Sequence, residues 1–174
     1  MSGFRLLVGG ARAGKSSIAT RLASVSGGDV AFVATAEARD EEMTRRIERH
    51  KLDRPSTWTT IEEPLELARA VDAAGTATVI IDCLTLWTSN LLLSGLTDDE
   101  VEAKARDAAT LVAQRPSNAF VITNEVGMGV HPSSDLGRRF RDLLGRVNAI
   151  WADEASEVLL VVAGRATRVV PVEA

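Results

Sequence analysis

The strongest chemical signal in the chain is the run Gly9-Gly10-Ala11-Arg12-Ala13-Gly14-Lys15-Ser16. It fits the pattern G-x-x-x-x-G-K-[ST], directly after a strand-like apolar run and directly before a helical one, which is the context the pattern requires. The physics is specific. Glycines let the backbone fold tightly around an anion, and the backbone N–H groups and the positive helix end then face phosphate. Lys15 reaches the β- and γ-phosphate oxygens, and the Ser16 hydroxyl can ligate Mg²⁺. The bland alternative is a glycine-rich turn capping a helix.

A phosphate loop of this kind needs a metal-side carboxylate at the end of a neighbouring apolar strand. Val79-Ile80-Ile81-Asp82 supplies one, and Asp82 is the acid that terminates such a strand. The alternative is that Asp82 caps the helix beginning at Thr85.

There are two histidines, His50 and His131. His50 lies in Arg45-Arg46-Ile47-Glu48-Arg49-His50-Lys51 and shares a helical face with Met43 and Ile47, a face expected to point into the protein. A histidine so placed is usually a satisfied core residue. However, its helix starts on the side of the sheet where ligands bind, and Arg45, Arg46, Arg49, Lys51 and Arg54 crowd it with cations that suit a polyphosphate. A neutral imidazole is a competent nucleophile toward phosphorus near pH 7. Cationic neighbours would keep it neutral. His131 reads as a surface residue.

The segment Asn124-Glu125-Val126-Gly127-Met128-Gly129 follows a strand and carries two glycines, so it is either a functional loop beside a nucleotide or a plain connection. The arginines of the long helix near the C-terminus, Arg138, Arg139, Arg141 and Arg146, read mostly as a solvated face. Trp58, Trp87 and Trp151 read as core or interface residues.

These groups must be positioned by alternating strands and helices. Strands are expected at Arg5–Val8, Val30–Ala34, Trp58–Ile61, Ala77–Cys83, Ala119–Thr123, Val158–Ala163 and Thr167–Val170, the last two forming a hairpin about Gly164-Arg165-Ala166. Helices are expected at 15–25 (Ile18, Leu22 and Val25 on its apolar face), 40–53, 64–74, 85–93, 97–114 and 134–152. The last carries Leu136, Phe140, Leu143, Val147 and Ile150 on one stripe. Wholly apolar strands alternating with helices predict an α/β fold: a mostly parallel sheet, helices on both faces and a C-terminal hairpin. Ligands of such sheets sit at the carboxyl ends of the strands.

Length and composition agree. The chain has 174 residues, which predicts one domain over 1–174. The single cysteine, Cys83, rules out an intrachain disulfide. A net charge of −4 gives no electrostatic case for binding nucleic acid. No apolar run nears the ~18 residues that span a bilayer, so no membrane insertion is expected. Met1–Arg5 lacks the pattern of a secretory signal, and the expected location is the cytoplasm.

Taken together, the glycine-rich loop, Ala34-Thr35-Ala36, Arg46-Ile47-Glu48-Arg49-His50-Lys51, Arg54-Pro55, Trp58 through Glu62, Asp82-Cys83, Thr123 through Gly129 and Arg141 through Asn148 occur in an order that resembles the bifunctional adenosylcobinamide kinase/adenosylcobinamide-phosphate guanylyltransferase family of cobalamin biosynthesis. The resemblance spans about residues 4–170 and implies a RecA-like P-loop fold. It implies that a nucleoside triphosphate, ATP or GTP, phosphorylates adenosylcobinamide. GTP then transfers GMP to adenosylcobinamide phosphate through a guanylylated histidine, which maps onto His50, with pyrophosphate released. The implied nucleotide contacts are Gly9, Gly10, Ala11, Arg12, Ala13, Gly14, Lys15, Ser16, Ala34, Thr35, Ala36, Lys51, Leu52, Asp53, Arg54, Glu62 and Asp82; Lys15 joins His50 as catalytic, and Ser16 and Asp82 as metal-side groups. Whether Glu62 and Asp82 serve guanine, ribose or metal stays open. The resemblance also touches Arg141 and Arg146 as anion contacts and implies a homo-oligomer, for which the apolar Leu84–Leu93 stretch offers an interface. In this chain Ala13 replaces a common serine, and Ala149 follows Asn148 where glutamine is frequent. The alternatives are a small-molecule kinase without nucleotidyl transfer and a RecA-like ATPase module.

Overall fold

The computed structural model describes residues 3–38, 41–52 and 54–172, apart from the side chains of residues 42, 43, 46, 49, 50 and 52. The elements run β1 (Phe4–Gly9), α1 (Lys15–Ser26), β2 (Val30–Ala34), α2 (Glu41–Leu52), β3 (Thr59–Glu62), α3 (Leu67–Ala73), β4 (Thr78–Asp82), α4 (Leu84–Leu93), α5 (Asp98–Ala113), β5 (Ala119–Asn124), α6 (Asp135–Glu154), β6 (Glu157–Val162) and β7 (Arg165–Val169).

The strands form one seven-stranded sheet in the order β3-β2-β4-β5-β1-β6-β7. All neighbours are parallel except β6 and β7. The reason lies in the apolar runs. β2, β4 and β5 are buried along almost their whole length because helices cover both faces. On one face Leu7, Phe32, Ile80 and Ile122 pack against Ile18, Ala19 and Ala23 of α1. On the other, Phe4, Leu6, Val33, Val79, Ile81 and Val121 pack against α3, α4, α5 and α6. Phe4 meets Trp151 edge-on, with ring centroids 5.4 Å apart. The α5 start is a capping box: Thr97 Oγ1 accepts from the Glu100 N–H and Glu100 accepts from the Thr97 N–H.

Several expectations are corrected. Val25 is 76% exposed, because the buried stripe of α1 runs through Ile18, Ala19 and Ala23, and a residue two positions past Ala23 points to the opposite side of the helix. Leu136, at the first turn of α6, is 51% exposed, because the buried part of α6 begins only at Leu143. The closing hairpin turns at Ala163-Gly164, starting one residue and ending two residues earlier than expected. Most of the apolar α4 serves the chain's own core: Leu84, Trp87, Leu91 and Leu92 are core residues, Trp87 Nε1 donates to the Leu65 carbonyl at 2.9 Å, and Leu93 is exposed. Among the described residues no helix is long and apolar enough to cross a membrane.

Candidate functional site

The parallel registers set the site. Glu62 lies beside Ala34, Ala34 beside Asp82, Asp82 beside Ile122, and Asn124 beside Gly9. With strands about 4.8 Å apart, the carboxyl edge is a continuous row that runs from Glu62 to the glycine-rich loop. Gly9, Ala34, Glu62 and Asp82, scattered in sequence, therefore stand on one edge.

β1 ends at Gly9, and α1 begins at Lys15 after Gly14, whose φ of 100° is a left-handed conformation that glycine adopts without strain. A Cβ at Gly9 would lie 2.3 Å from the Val161 carbonyl oxygen, so the close approach of β6 requires glycine there. Ala11 and Arg12 form the exposed tip, Arg12 with a φ of 57°, and the Ala13 N–H closes back on the Gly10 carbonyl at 3.3 Å. Lys15 is buried and its ammonium donates to the carbonyls of Gly9 (3.0 Å) and Gly10 (2.6 Å). It thus arches back over the loop.

Ser16 Oγ donates to Asp82 Oδ2 at 2.9 Å. Asp82 does not cap α4; Cys83 occupies that position, without a side-chain bond. The carboxylate faces α1 instead. Two oxygen groups are the donor chemistry a hard cation such as Mg²⁺ takes, and Mg²⁺ fills the rest of its shell from phosphate and water. Consistent with that division, no group of three or more His, Cys, Asp and Glu side chains gathers into a metal cage among the described residues.

The far side of the edge is carried by β2 and β3. Ala34 is buried and its carbonyl accepts from the Glu63 N–H at 3.0 Å, while Ala36 is half-buried just beyond it. Thr35 is fully buried: its hydroxyl donates to the Cys83 carbonyl and accepts from the Cys83 N–H, both at 2.8 Å. Its carbonyl accepts from Asn90 Nδ2 at 2.8 Å and its N–H donates to the Asp82 carbonyl. Thr35 thus ties the end of β2 to the turn after β4 and orients Asp82. Lys51, at the end of α2, pairs with Glu62 across 2.5 Å. Arg54 lies 3.5 Å above the centroid of the Phe32 ring. Burial lowers its proton affinity below the ordinary value, against the opposing charges of Asp82 and Glu62. His50 and Leu52 fall within α2, but their side chains lie outside the described residues, as do the Met43 side chain and all of Asp53. Of the face expected from Met43, Ile47 and His50, Ile47 is half-buried.

The β5 loop joins the same edge. The Glu125 N–H donates to the Gly9 carbonyl at 3.2 Å. Asn148 of α6, buried, accepts from the Thr123 hydroxyl at 2.7 Å and donates to the Asn124 carbonyl at 3.0 Å, while the Asn124 N–H donates to Thr85 Oγ1. Cys83, Thr85, Asn90 and Asn148 are supporting residues whose roles sequence reasoning did not assign. Their signal was a polar side chain at a position where the surrounding periodicity calls for burial. Arg146 is not free for an anion; Glu102 and Asp98 of α5 each hold it at 2.6 Å, and Arg139 also bonds Asp98. Arg141 pairs with Asp142 and His131 Nδ1, and His131 is exposed as expected.

Comparisons with known proteins agree with this geometry. The family model described as cobinamide kinase / cobinamide phosphate guanyltransferase matches residues 5–169. The bifunctional adenosylcobalamin biosynthesis protein CobP of Pseudomonas aeruginosa is 42% identical over 163 residues, covering 91% of this chain and 92% of that protein. The bifunctional adenosylcobalamin biosynthesis protein CobU of Escherichia coli is 40% identical over 173 residues, covering 91% and 95%. Among solved structures, the KaiC-like protein PH0186 of Pyrococcus horikoshii OT3 superposes with a TM-score of 0.51 at 16% identity, over 91% of this chain and 70% of that one. That likeness speaks for the RecA-like fold alone and lends the ATPase-module alternative nothing further. By the match over nearly its whole length and the identity to both relatives, the chain belongs to the cobinamide kinase / cobinamide phosphate guanyltransferase family.

Proposed function

We propose that the chain carries both activities of its family at the edge described above. It phosphorylates adenosylcobinamide from a nucleoside triphosphate, then transfers GMP from GTP to adenosylcobinamide phosphate. The observation that carries this reading is the shared row: the glycine-rich loop, Ser16–Asp82 and Lys51–Glu62 stand on one carboxyl edge, and α2, which contains His50, ends on it.

In the kinase step the backbone of residues 9–16 cradles the triphosphate. Lys15 exchanges the Gly9 and Gly10 carbonyls for the β- and γ-phosphate oxygens. The corrinoid's side-arm hydroxyl attacks the γ-phosphorus, its O–P bond forms as the bond to the β-γ bridging oxygen breaks, the nucleoside diphosphate leaves, and the hydroxyl proton passes to solvent. Positioning and charge stabilisation supply most of the rate in such a transfer. Ser16 and Asp82 would hold Mg²⁺, which neutralises phosphate charge when bound.

In the second reaction a neutral nitrogen of His50 attacks the α-phosphorus of GTP. An N–P bond forms, the α-β P–O bond breaks and pyrophosphate departs. A phosphate oxygen of adenosylcobinamide phosphate then attacks the same phosphorus and frees the imidazole. Dividing one displacement into two is the ordinary gain of covalent catalysis. Lys51, Leu52, Asp53, Arg54, Glu62 and the Ala34-Thr35-Ala36 turn complete the nucleotide site in this reading, Thr35 from behind the surface.

The test is direct. The purified chain, given Mg²⁺, ATP, GTP and adenosylcobinamide, should yield adenosylcobinamide-GDP and pyrophosphate by chromatography. Accumulation of adenosylcobinamide phosphate alone would reduce the reading to a kinase without nucleotidyl transfer.

A further inference from the structure

β6 and β7 are joined by Ala163 and Gly164, with φ of 49° and 71°. Two successive left-handed residues between antiparallel strands make a tight hairpin turn whose twist matches its strands. Alanine is not favoured in that conformation, so the turn keeps its shape at some cost, with Gly164 the residue adapted to it. Because β6 runs parallel to β1, this turn sits on the same edge as the glycine-rich loop.

The turn does not stand clear of the loop. The Gly164 N–H donates to the Ala13 carbonyl at 2.8 Å. A Cβ at Gly14 would come 3.2 Å from Gly164 Cα, so the two backbones are in direct contact. At the loop's other end, Gly9 lies against Val161 of β6 just as closely. The hairpin therefore touches the loop at both of its ends.

The Ala13 carbonyl and the Gly14 N–H belong to one peptide unit. In a trans peptide these groups point in opposite directions. Holding the carbonyl toward the hairpin therefore turns the Gly14 N–H away from it, to the side where the loop's amides face phosphate. The Ala13 N–H bonds the Gly10 carbonyl at 3.3 Å, and the Gly14 carbonyl accepts from the Ile18 N–H at 3.0 Å, so the Gly164 bond at 2.8 Å is the one that holds the Ala13 carbonyl from outside the loop and its helix.

The geometry points to Gly164 as a positioning residue for both reactions: its N–H, presented by the hairpin turn, fixes the Ala13–Gly14 peptide so that the loop is ready for a triphosphate. This inference rests on the reading that the loop holds the nucleotide.

The experiment compares Gly164→Val, Gly164→Asn and Lys15→Ala in the full chain. Valine resists a positive φ and asparagine tolerates it, while no atom lies within 4 Å of a Cβ added at Gly164. The difference between the two variants thus reports turn conformation rather than crowding. GTP affinity is measured by equilibrium dialysis, normalised to the folded fraction, beside KM for nucleotide and for adenosylcobinamide. Loss of one oriented hydrogen bond predicts that Gly164→Val raises Kd and both nucleotide KM values about tenfold. The KM for adenosylcobinamide should hold, and Gly164→Asn should stay within about twofold of the wild type. Gly164→Val with unchanged normalised affinity would overturn the inference, as would an equal loss in Gly164→Asn. Should Gly164→Val not fold, Gly164→Ala takes its place, with a rise of about threefold expected and no rise overturning. If Lys15→Ala weakens GTP binding while Gly164→Val does not, the positioning role alone fails. If neither does, the loop reading itself fails.

Discussion

The Ser16 hydroxyl donates to Asp82 Oδ2 across 2.9 Å, joining the second residue of α1 to the last residue of β4. This contact turns a strand-terminal acid away from the helix it precedes and toward the glycine-rich loop. It yields the first prediction. Asp82→Asn keeps the size of the side chain and removes its charge. The kinase kcat/KM should fall at least about 100-fold, with the thermal midpoint little changed. Steady-state assays beside calorimetry check this. Wild-type turnover in Asp82→Asn would return the residue to a structural role.

A second prediction concerns stability. Alanine at position 9 would place its Cβ 2.3 Å from a carbonyl of β6, well inside contact distance. The strands must then part at the edge. Gly9→Ala should cost about 2 kcal/mol or more in urea unfolding. At Gly10, where nothing lies within 4 Å of an added Cβ, alanine should cost under about 1 kcal/mol. Equal costs at the two positions would contradict the packing described here.

Asn148 supplies the third. It is buried and joins α6 to β5 through Thr123 and Asn124. Asn148→Ala leaves the Thr123 hydroxyl and the Asn124 carbonyl without their partner, a loss of about 1–3 kcal/mol. Because the next residue's N–H reaches Gly9, nucleotide affinity should fall too. Denaturant titration and GTP binding measure the two effects, and an unchanged unfolding midpoint would contradict the first.

How much of this was legible in the sequence follows from the range of each interaction. The loop from Gly9 to Ser16 was legible because its glycines, lysine and serine are contiguous. Asp82 was legible because an acid ends a run of apolar residues. The roles of Thr35, Asn90 and Asn148 were not legible, since each partner lies 24 or more residues away and polar side chains bond wherever the fold takes them. The core role of Leu84, Trp87 and Leu91 was not legible, because such residues read alike whether they cover a core or a second chain. The hairpin turn was expected one to two residues too late because Ala163 carries no propensity for its left-handed conformation; tertiary pairing of β6 and β7 imposes it. Arg146 looked available because its partners, Asp98 and Glu102, sit on another helix.

The fourth prediction is a pH dependence. Cys83 is buried, and burial, with the charge of Asp82 adding to it, pushes its thiol up to about 11 from an ordinary 9.0. The native state thus holds this proton where the unfolded chain has released it. Stability from this group is complete below the ordinary value and is lost as pH rises toward about 11. Between pH 9 and 10.5 the urea midpoint of the wild type should drop more steeply than that of Cys83→Ala, by a slope approaching ~1.4 kcal/mol per pH unit. Parallel curves would contradict the assignment. The same burial predicts slow alkylation of the native thiol at pH 8.

The most direct test of the central claim uses GTP labelled at the α-phosphorus. Incubated with the chain and then denatured, the label should stay on the protein, be lost in acid, survive alkali, and pass to adenosylcobinamide phosphate when that acceptor is added before denaturation. His50→Ala should capture no label and form no adenosylcobinamide-GDP. Full product formation by His50→Ala, or label retained on it, would contradict the account.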